Sequence, residues 1–227
     1  MNSALQRLIL SAFFIISTNS MAAKPTYLDA SLPSEERVKL LMQEMTLDEK
    51  IGQMCQFVGE ASDIDFDSKD TKSNYTLALG ARAGLIKEGK IGSFLKVSTY
   101  QEANILQSLA EESRLKIPLL IATDAIHGHG MYMGATTIYA TQIGLAASFE
   151  PELAELMAKY TASEMRATGF HWAYSPNIEV VRDSRWGRIG ETFGEDPYLV
   201  TEMGNAMVRG YQGKDFSSSD NVIASSK

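Results

Sequence analysis

The sequence predicts a parallel α/β fold, in which strands and helices alternate along the chain. From residue 77 onward, apolar runs of strand length at 91–97, 118–123, 172–174 and 221–227 are separated by segments with helical spacing. The run at 118–123, PLLIAT, is apolar almost throughout, which is typical of a strand buried on both faces. Polar residues suited to chemistry follow these runs, as expected at the carboxyl edge of a parallel sheet.

Helical patterns fill the segments around these strands. Helices are predicted from Ser34, from a capping box at Thr46–Glu49, and over 77–88, 100–114, 150–168 and 197–209. In the fifth of these, Leu153, Leu156, Met157 and Tyr160 recur at helical spacing and predict a buried face. The polar run at 60–73 predicts a surface loop.

The first 22 residues have the layout of a secretory signal peptide. Arg7 precedes the apolar run Leu8–Ile16, and Ser20 and Ala22 supply the small residues of a cleavage site. The apolar run is shorter than the about 20 residues that span a bilayer. We therefore predict a signal peptide at 1–22 and a periplasmic or secreted domain at 23–227, with no membrane attachment after cleavage.

Charge and motif content exclude several classes of protein. The net charge is −7, and the 21 basic residues form no stripe, so nucleic acid is not an expected partner. No glycine-rich phosphate-binding motif follows a strand, which argues against a nucleotide-binding sheet. The single cysteine, Cys55, lies in an apolar segment and is predicted to be a buried small hydrophobe.

The first candidate site is the segment Asp124–Gly130. Asp124 ends a buried strand, where its carboxylate either accepts hydrogen bonds from sugar hydroxyls or caps a helix or loop. His127 and His129 form an H-x-H pair that would suit a metal-dependent hydrolase. Because His171 is the only other histidine, the pair is expected to shape a turn, and no metal is expected.

The second candidate site is the loop at 182–197, which holds three arginines, Trp186 and four acids. Guanidinium groups fork onto carboxylates or onto adjacent hydroxyls, and an indole stacks on the apolar face of a sugar ring. This composition predicts an ion-pair network from which one arginine faces a ligand.

Four segments in this order resemble the N-terminal domain of glycoside hydrolase family 3, the family of β-glucosidases and exo-β-glucanases. They are TLDEKIGQM, IPLLIATDAIHGHG, NIEVVRDSRWGRIGETFGEDP and IASSK. The resemblance implies a partial (β/α)8 TIM-like barrel that is incomplete at the C-terminus, because a whole barrel needs about 250 residues.

The resemblance also implies retaining hydrolysis of terminal non-reducing β-D-glucosyl residues in β-glucosides or β-gluco-oligosaccharides, without a cofactor. Asp124, Arg188 and Lys227 match the family's substrate-binding residues, and Glu191 and the other arginines are expected to be structural. The nucleophilic Asp and the acid/base residue are expected beyond residue 227, so this fragment is expected to be inactive alone. The alternatives are a β-N-acetylglucosaminidase of the same family, a non-catalytic sugar-binding fragment, and the metal hydrolase using His127 and His129.

Overall fold

The computed structural model describes residues 26–59, 64–130, 136–215 and 218–227. The predicted signal peptide at 1–22 lies outside these residues. The chain divides into two compact units, Met1–Glu44 and Met45–Lys227. In the first unit, helix α1 (Ser34–Glu44) begins where the sequence predicts, and Arg37 Nε donates to the carbonyl of Tyr27 at 2.8 Å.

The second unit alternates helices and strands, which confirms the α/β prediction. In chain order it contains α2 (Leu47–Gln53), β1 (Gln56–Val58), α3 (Thr71–Leu79), α4 (Ala81–Lys87), β2 (Ser93–Leu95), α5 (Tyr100–Ala110), β3 (Leu120–Thr123), α6 (Gln142–Ala146), α7 (Pro151–Ala167), β4 (Trp172–Ala173), a 3-10 turn (Ile189–Glu191), α8 (Pro197–Gln212) and β5 (Ile223–Ala224). No helix among the described residues is both long enough and apolar enough to span a membrane.

The sheet has the strand order of a β/α barrel. Its order is β1-β2-β3-β4-β5, and every neighbouring pair is parallel. Spatial order therefore follows chain order, as in a barrel, whereas a doubly wound sheet reverses its order at a switch point. The fold is a part of a β/α barrel.

The two faces of the sheet differ in chemistry because side chains alternate along each strand. Phe94 and Ile121 are paired in register and wholly buried, and they join the core with residues of the surrounding helices. The opposite face carries the polar side chains of Gln56 and Ser93, and its apolar members Val58 and Leu120 are 49% and 38% exposed. One face thus holds the core, while the other is open and partly polar.

Helix α7 buries a different face from the one its sequence predicts. Leu153, Leu156 and Tyr160 are 42–54% exposed, and of the predicted stripe only Met157 is buried. The buried residues are mostly small, namely Ala154, Ala158, Thr161 and Ala162, with Met157 and Met165. The reason lies in α8: a Cβ at Gly210 would come within 2.2 Å of the carbonyl oxygen of Glu155. The two backbones approach so closely that only small side chains fit between them.

Other local predictions have mixed outcomes. The capping box at Thr46 and Glu49 is present. Helix α3 begins at Thr71, inside the run predicted to be a loop, and 60–63 lie outside the described residues. Strand β1 and helix α6 were not predicted. Cys55 is half-buried and lies one residue before β1, so the expectation of a buried cysteine is wrong.

Candidate active site

Asp124 and Lys227 meet at the carboxyl edge of the sheet. Asp124 follows β3 and Lys227 follows β5, and the Lys227 ammonium contacts Asp124 Oδ1 across 103 residues of chain. The Asp124 side chain is 20% exposed and that of Lys227 is 36% exposed. The pair is therefore partly desolvated and still open to a ligand.

Arg188 lies immediately before the 3-10 turn, close enough to Asp124 for their charges to interact. Its Nε and Nη2 donate to Glu191 Oε2 at 3.1 and 2.6 Å. The pKa of Arg188 is raised chiefly by this bond, and the charges of Glu179 and Asp124 add to the effect. The structure thus places all three residues that the resemblance matched to substrate binding at one edge.

Glu191 pairs with Arg188 and lies within the electrostatic influence of Lys227. The bond from Arg188 lowers the pKa of Glu191, and the amide of Asn177 and the charge of Lys227 lower it further against the opposing effect of burial. The ion pairs Asp124–Lys227 and Arg188–Glu191 therefore form one set of charges of both signs. Sugar hydroxyls both donate and accept hydrogen bonds, so such a set offers them both kinds of partner.

A chain of polar and aromatic side chains on the open face of the sheet leads to this set. Gln56 Nε2 donates to Ser93 Oγ at 3.2 Å and also contacts the hydroxyl of Tyr174. The Lys227 ammonium lies 5.9 Å from the centre of the Tyr174 ring, within the range of a cation–π contact. Burial raises the pKa of Tyr174, and the charge of Asp124 adds to it, so the hydroxyl stays protonated at neutral pH.

The Tyr174 ring is itself held in place. It packs edge-on against Trp172 at a centroid distance of 4.8 Å, and Trp172 Nε1 donates to Ser225 Oγ at 2.9 Å. Sequence reasoning did not select any of these residues. The only signal available was period-two spacing in the predicted strand 172–174, which puts Trp172 and Tyr174 on the same side of the chain.

The histidine pair is divided between different partners. His127 Nδ1 bonds the carbonyl of Tyr139 at 3.1 Å, whereas His129 Nε2 bonds Thr168 Oγ1 at 2.8 Å. Burial lowers the pKa of His129 to about 4, and its ring stands edge-on to Phe170. In the described ranges, no group of three or more His, Cys, Asp or Glu is arranged to hold a metal ion.

The arginine-rich loop contains local ion pairs, as its composition predicts. Arg185 pairs with Asp183 two residues away, and Arg188 pairs with Glu191 three residues away. The Arg185 side chain is 88% exposed, so its pair lies in solvent. Trp186, between the two pairs, is 37% exposed.

Comparison with known proteins identifies the family of the chain. Residues 46–227 match the family model of the glycosyl hydrolase family 3 N-terminal domain. The chain is 34% identical to the periplasmic β-glucosidase of Salmonella typhimurium over 188 residues, which cover 82% of this chain. It is 40% identical to a β-xylosidase of Formosa agariphila over 146 residues, or 61% of this chain. A crystal structure of β-glucosidase from Listeria innocua in complex with glucose matches 85% of the chain with a TM-score of 0.69 and 33% identity.

These relatives are much longer proteins. The chain spans 22% of the Salmonella protein, 20% of the Formosa protein and 26% of the Listeria chain. The match to the family model, over residues 46–227, nevertheless includes all five strands and the charged edge described above. The chain belongs to glycosyl hydrolase family 3, a family of glycosidases, and its residues 46–227 match that family's N-terminal domain.

Proposed function

We propose that the protein hydrolyses terminal non-reducing β-D-glucosyl residues with retention of configuration, and that Asp124, Arg188 and Lys227 bind the sugar. The observation that carries this proposal is the contact between Asp124 and Lys227 at the carboxyl edge of the sheet. In β/α barrels the active site lies at that edge.

The charges around Asp124 suit a polyhydroxylated ring. The carboxylate accepts hydrogen bonds, and the ammonium and guanidinium groups donate them. Contacts that hold the ring in position favour the reaction most when they strengthen in the transition state. The Listeria β-glucosidase, whose structure includes glucose in one complex and laminaribiose in another, supports a β-glucoside as the ligand class.

A retaining mechanism needs a nucleophilic carboxylate and an acid/base carboxyl roughly 5–5.5 Å apart. Asp124 and Glu191 each hold a cation already, so neither is placed to change partners during bond cleavage. We propose that residues outside these 227 supply the nucleophile and the acid/base. This chain then binds sugar weakly without cleaving it, and it acts in the periplasm or outside the cell, as the name of the Salmonella relative suggests.

β-Xylosidase activity is the second candidate, because a β-xylosidase of Formosa agariphila is 40% identical to the chain over the matched residues. A xylosyl ring carries the same ring hydroxyls as a glucosyl ring and lacks the hydroxymethyl group. The three proposed binding residues would hold either ring by those shared hydroxyls.

Hydrolysis of 4-nitrophenyl glycosides tests these proposals. The purified 227-residue chain and a longer form of the protein should be assayed with the β-glucoside, the β-xyloside and the N-acetyl-β-glucosaminide. We expect turnover of the β-glucoside by the longer form and none by the chain alone. Preference for the N-acetylated substrate would replace the glucosidase proposal, and turnover by the chain that Asp124→Ala abolishes would refute its inactivity.

A further inference from the structure

The segment that follows β4, Tyr174–Ile178, contacts Lys227 directly and reaches Arg188, the other cation of the proposed sugar site, through Glu191. The backbone N–H of Lys227 donates to the carbonyl of Pro176 at 3.1 Å, and the backbone N–H of Ile178 donates to the carbonyl of Lys227 at 2.6 Å. These two bonds flank Asn177 and fix the backbone of Lys227 beside it.

The side chain of Asn177 extends toward the other cation. Its Nδ2 donates to Glu191 Oε2 at 2.9 Å, and the same oxygen accepts both bonds from Arg188. Asn177 is 1% exposed, whereas the Arg188 side chain is 48% exposed. A long exposed arginine has many rotamers, so its position depends on how firmly its carboxylate partner is held. The buried amide is the fixed end of this connection.

Asn177 is anchored to the helices behind the sheet. Its backbone N–H lies 3.4 Å from Gln142 Oε1, and the Gln142 amide in turn contacts Met207 Sδ at 3.3 Å. Gln142 and Met207 are wholly buried in α6 and α8. The backbone of Asn177 is therefore fixed to two buried residues, Gln142 and, through it, Met207.

The environment of the Asn177 side-chain oxygen indicates that this residue does more than stabilise the fold. Asn177 Oδ1 is buried and has no hydrogen-bond partner in the described part of the chain. A buried unpaired carbonyl costs free energy, and an apolar side chain of similar shape would avoid that cost. The position thus keeps an amide for the bond that its nitrogen makes to Glu191.

We propose that Asn177 is a positioning residue that holds the Arg188 guanidinium, through Glu191, in a fixed position relative to the backbone of Lys227. Its side chain acts on Arg188 through Glu191, and its backbone neighbours hold Lys227. The inference rests on the proposed function only in calling these cations sugar ligands. The connection itself can be measured without any sugar.

Solvent exchange of the Arg188 Hε, followed by nuclear magnetic resonance of the 227-residue chain, tests the proposal. Asn177→Leu keeps the bulk of the side chain and removes the amide, so we expect Hε exchange at Arg188 to become at least about tenfold faster while thermal stability is unchanged or higher. Asn177→Asp should have the same effect on Arg188, because a second carboxylate would repel Glu191. Asn205→Leu, at an exposed asparagine of α8, is the matched control.

Arg114 supplies a reference within the same spectrum, since its Nε donates to Glu49 Oε1 at 3.1 Å. Faster exchange at Arg188 with no change at Arg114 supports the proposal. Unchanged exchange at Arg188, or an equal change at both arginines, overturns it. Loss of the folded spectrum in both Asn177 variants would mark the residue as one required for folding and would also overturn it. Failure of Asp124→Ala to affect glucoside turnover would instead count against the proposed function and leave this connection standing.

Discussion

Two arginine–glutamate pairs with the same bond lengths lie at opposite ends of the sheet. Arg114 donates to Glu49 at 3.1 Å from Nε and 2.6 Å from Nη2, and Arg188 donates to Glu191 at the same two distances. The first pair packs near Gly89, ahead of β2, at the amino end of the sheet. The second lies at the carboxyl end, beside Asp124 and Lys227.

The surroundings of the two pairs differ. Glu49 uses both oxygens for Arg114 and also accepts from the backbone N–H and hydroxyl of Thr46, so it caps α2 and joins segments 65 residues apart. Glu191 receives both Arg188 bonds on one oxygen, from a residue three positions away. The first pair is a cross-link of the fold, and the second holds a cation at an open edge. The same pair of side chains thus serves stability at one end and, we propose, binding at the other.

The largest expected difference between the two ends is in catalysis. In the shortest form of the protein that hydrolyses an aryl β-glucoside, Asp124→Ala should lower kcat/KM about a thousandfold, because it removes a hydrogen-bonding partner of the transition state. Glu49→Ala should leave kcat/KM unchanged at a temperature where the variant is folded. Equal losses in both variants would show that the ends do not differ in function.

The two histidines with lowered pKa values, the buried His129 and the half-buried His171, should show where the ends are alike. His129 follows β3 at the carboxyl end and His171 precedes β4 at the amino end, and burial lowers the pKa of each to about 4 from an ordinary 6.5. Below pH about 6.5 the unfolded chain takes up these protons first, so stability is full above that pH and falls as pH approaches 4. The loss should reach about 2 kcal/mol for each histidine at pH 5 and about 3 kcal/mol at pH 4, at about 1.4 kcal/mol per pKa unit.

Urea denaturation between pH 5 and 7 measures this effect apart from the carboxylates. Glu49 and Glu191 have lowered pKa values, so their contribution is lost only at lower pH. His129→Gln and His171→Gln should each flatten the dependence of unfolding free energy on pH. A slope that matches the unsubstituted chain in either variant would contradict the assignment to that histidine.

The smallest expected difference is in stability near neutral pH. Glu49→Ala should lower the free energy of unfolding by about 1–2 kcal/mol, because it removes a helix cap and a mostly buried carboxylate. Arg188→Ala should lower it by about 0.5 kcal/mol or less, as is usual for a half-exposed pair. Urea unfolding at pH 7 measures both, and a larger effect at Arg188 would reverse the assignment of structural roles.

Apolar runs predicted four of the strands, because a strand buried among helices has to be apolar. Strand β1 was missed for two reasons. It has only three residues, Gln56–Val58, which are too few to show a clear alternation of polar and apolar side chains. It also follows the end of α2 after a gap of only two residues, so it looked like part of the same apolar segment. The buried face of α7 was predicted wrongly because it depends on Gly210, more than fifty residues away from Leu153. Such close approaches of two backbones depend on the tertiary structure, so a local sequence pattern cannot predict them.

The residues of the candidate site also divide into those that the sequence predicted and those that only the structure revealed. The family resemblance selected Asp124, Arg188 and Lys227, and the structure brings them to one edge, while their role in binding sugar stays a prediction. The residues that hold them were not found from the sequence, because Asn177, Gln56 and Tyr174 are ordinary polar residues until folding gives them partners. Glu191 was expected to be structural, and in the structure it holds the Arg188 guanidinium through two hydrogen bonds.

The close approach at Gly210 limits how this protein can vary. A side chain there would push α8 away from α7, and α8 leads into β5, the strand that ends beside Lys227. We therefore expect position 210 to tolerate no substitution, although Gly210 is not one of the charged residues of the edge. A saturation library selected for soluble expression should return glycine alone at this codon, so directed evolution of substrate preference has to leave it fixed.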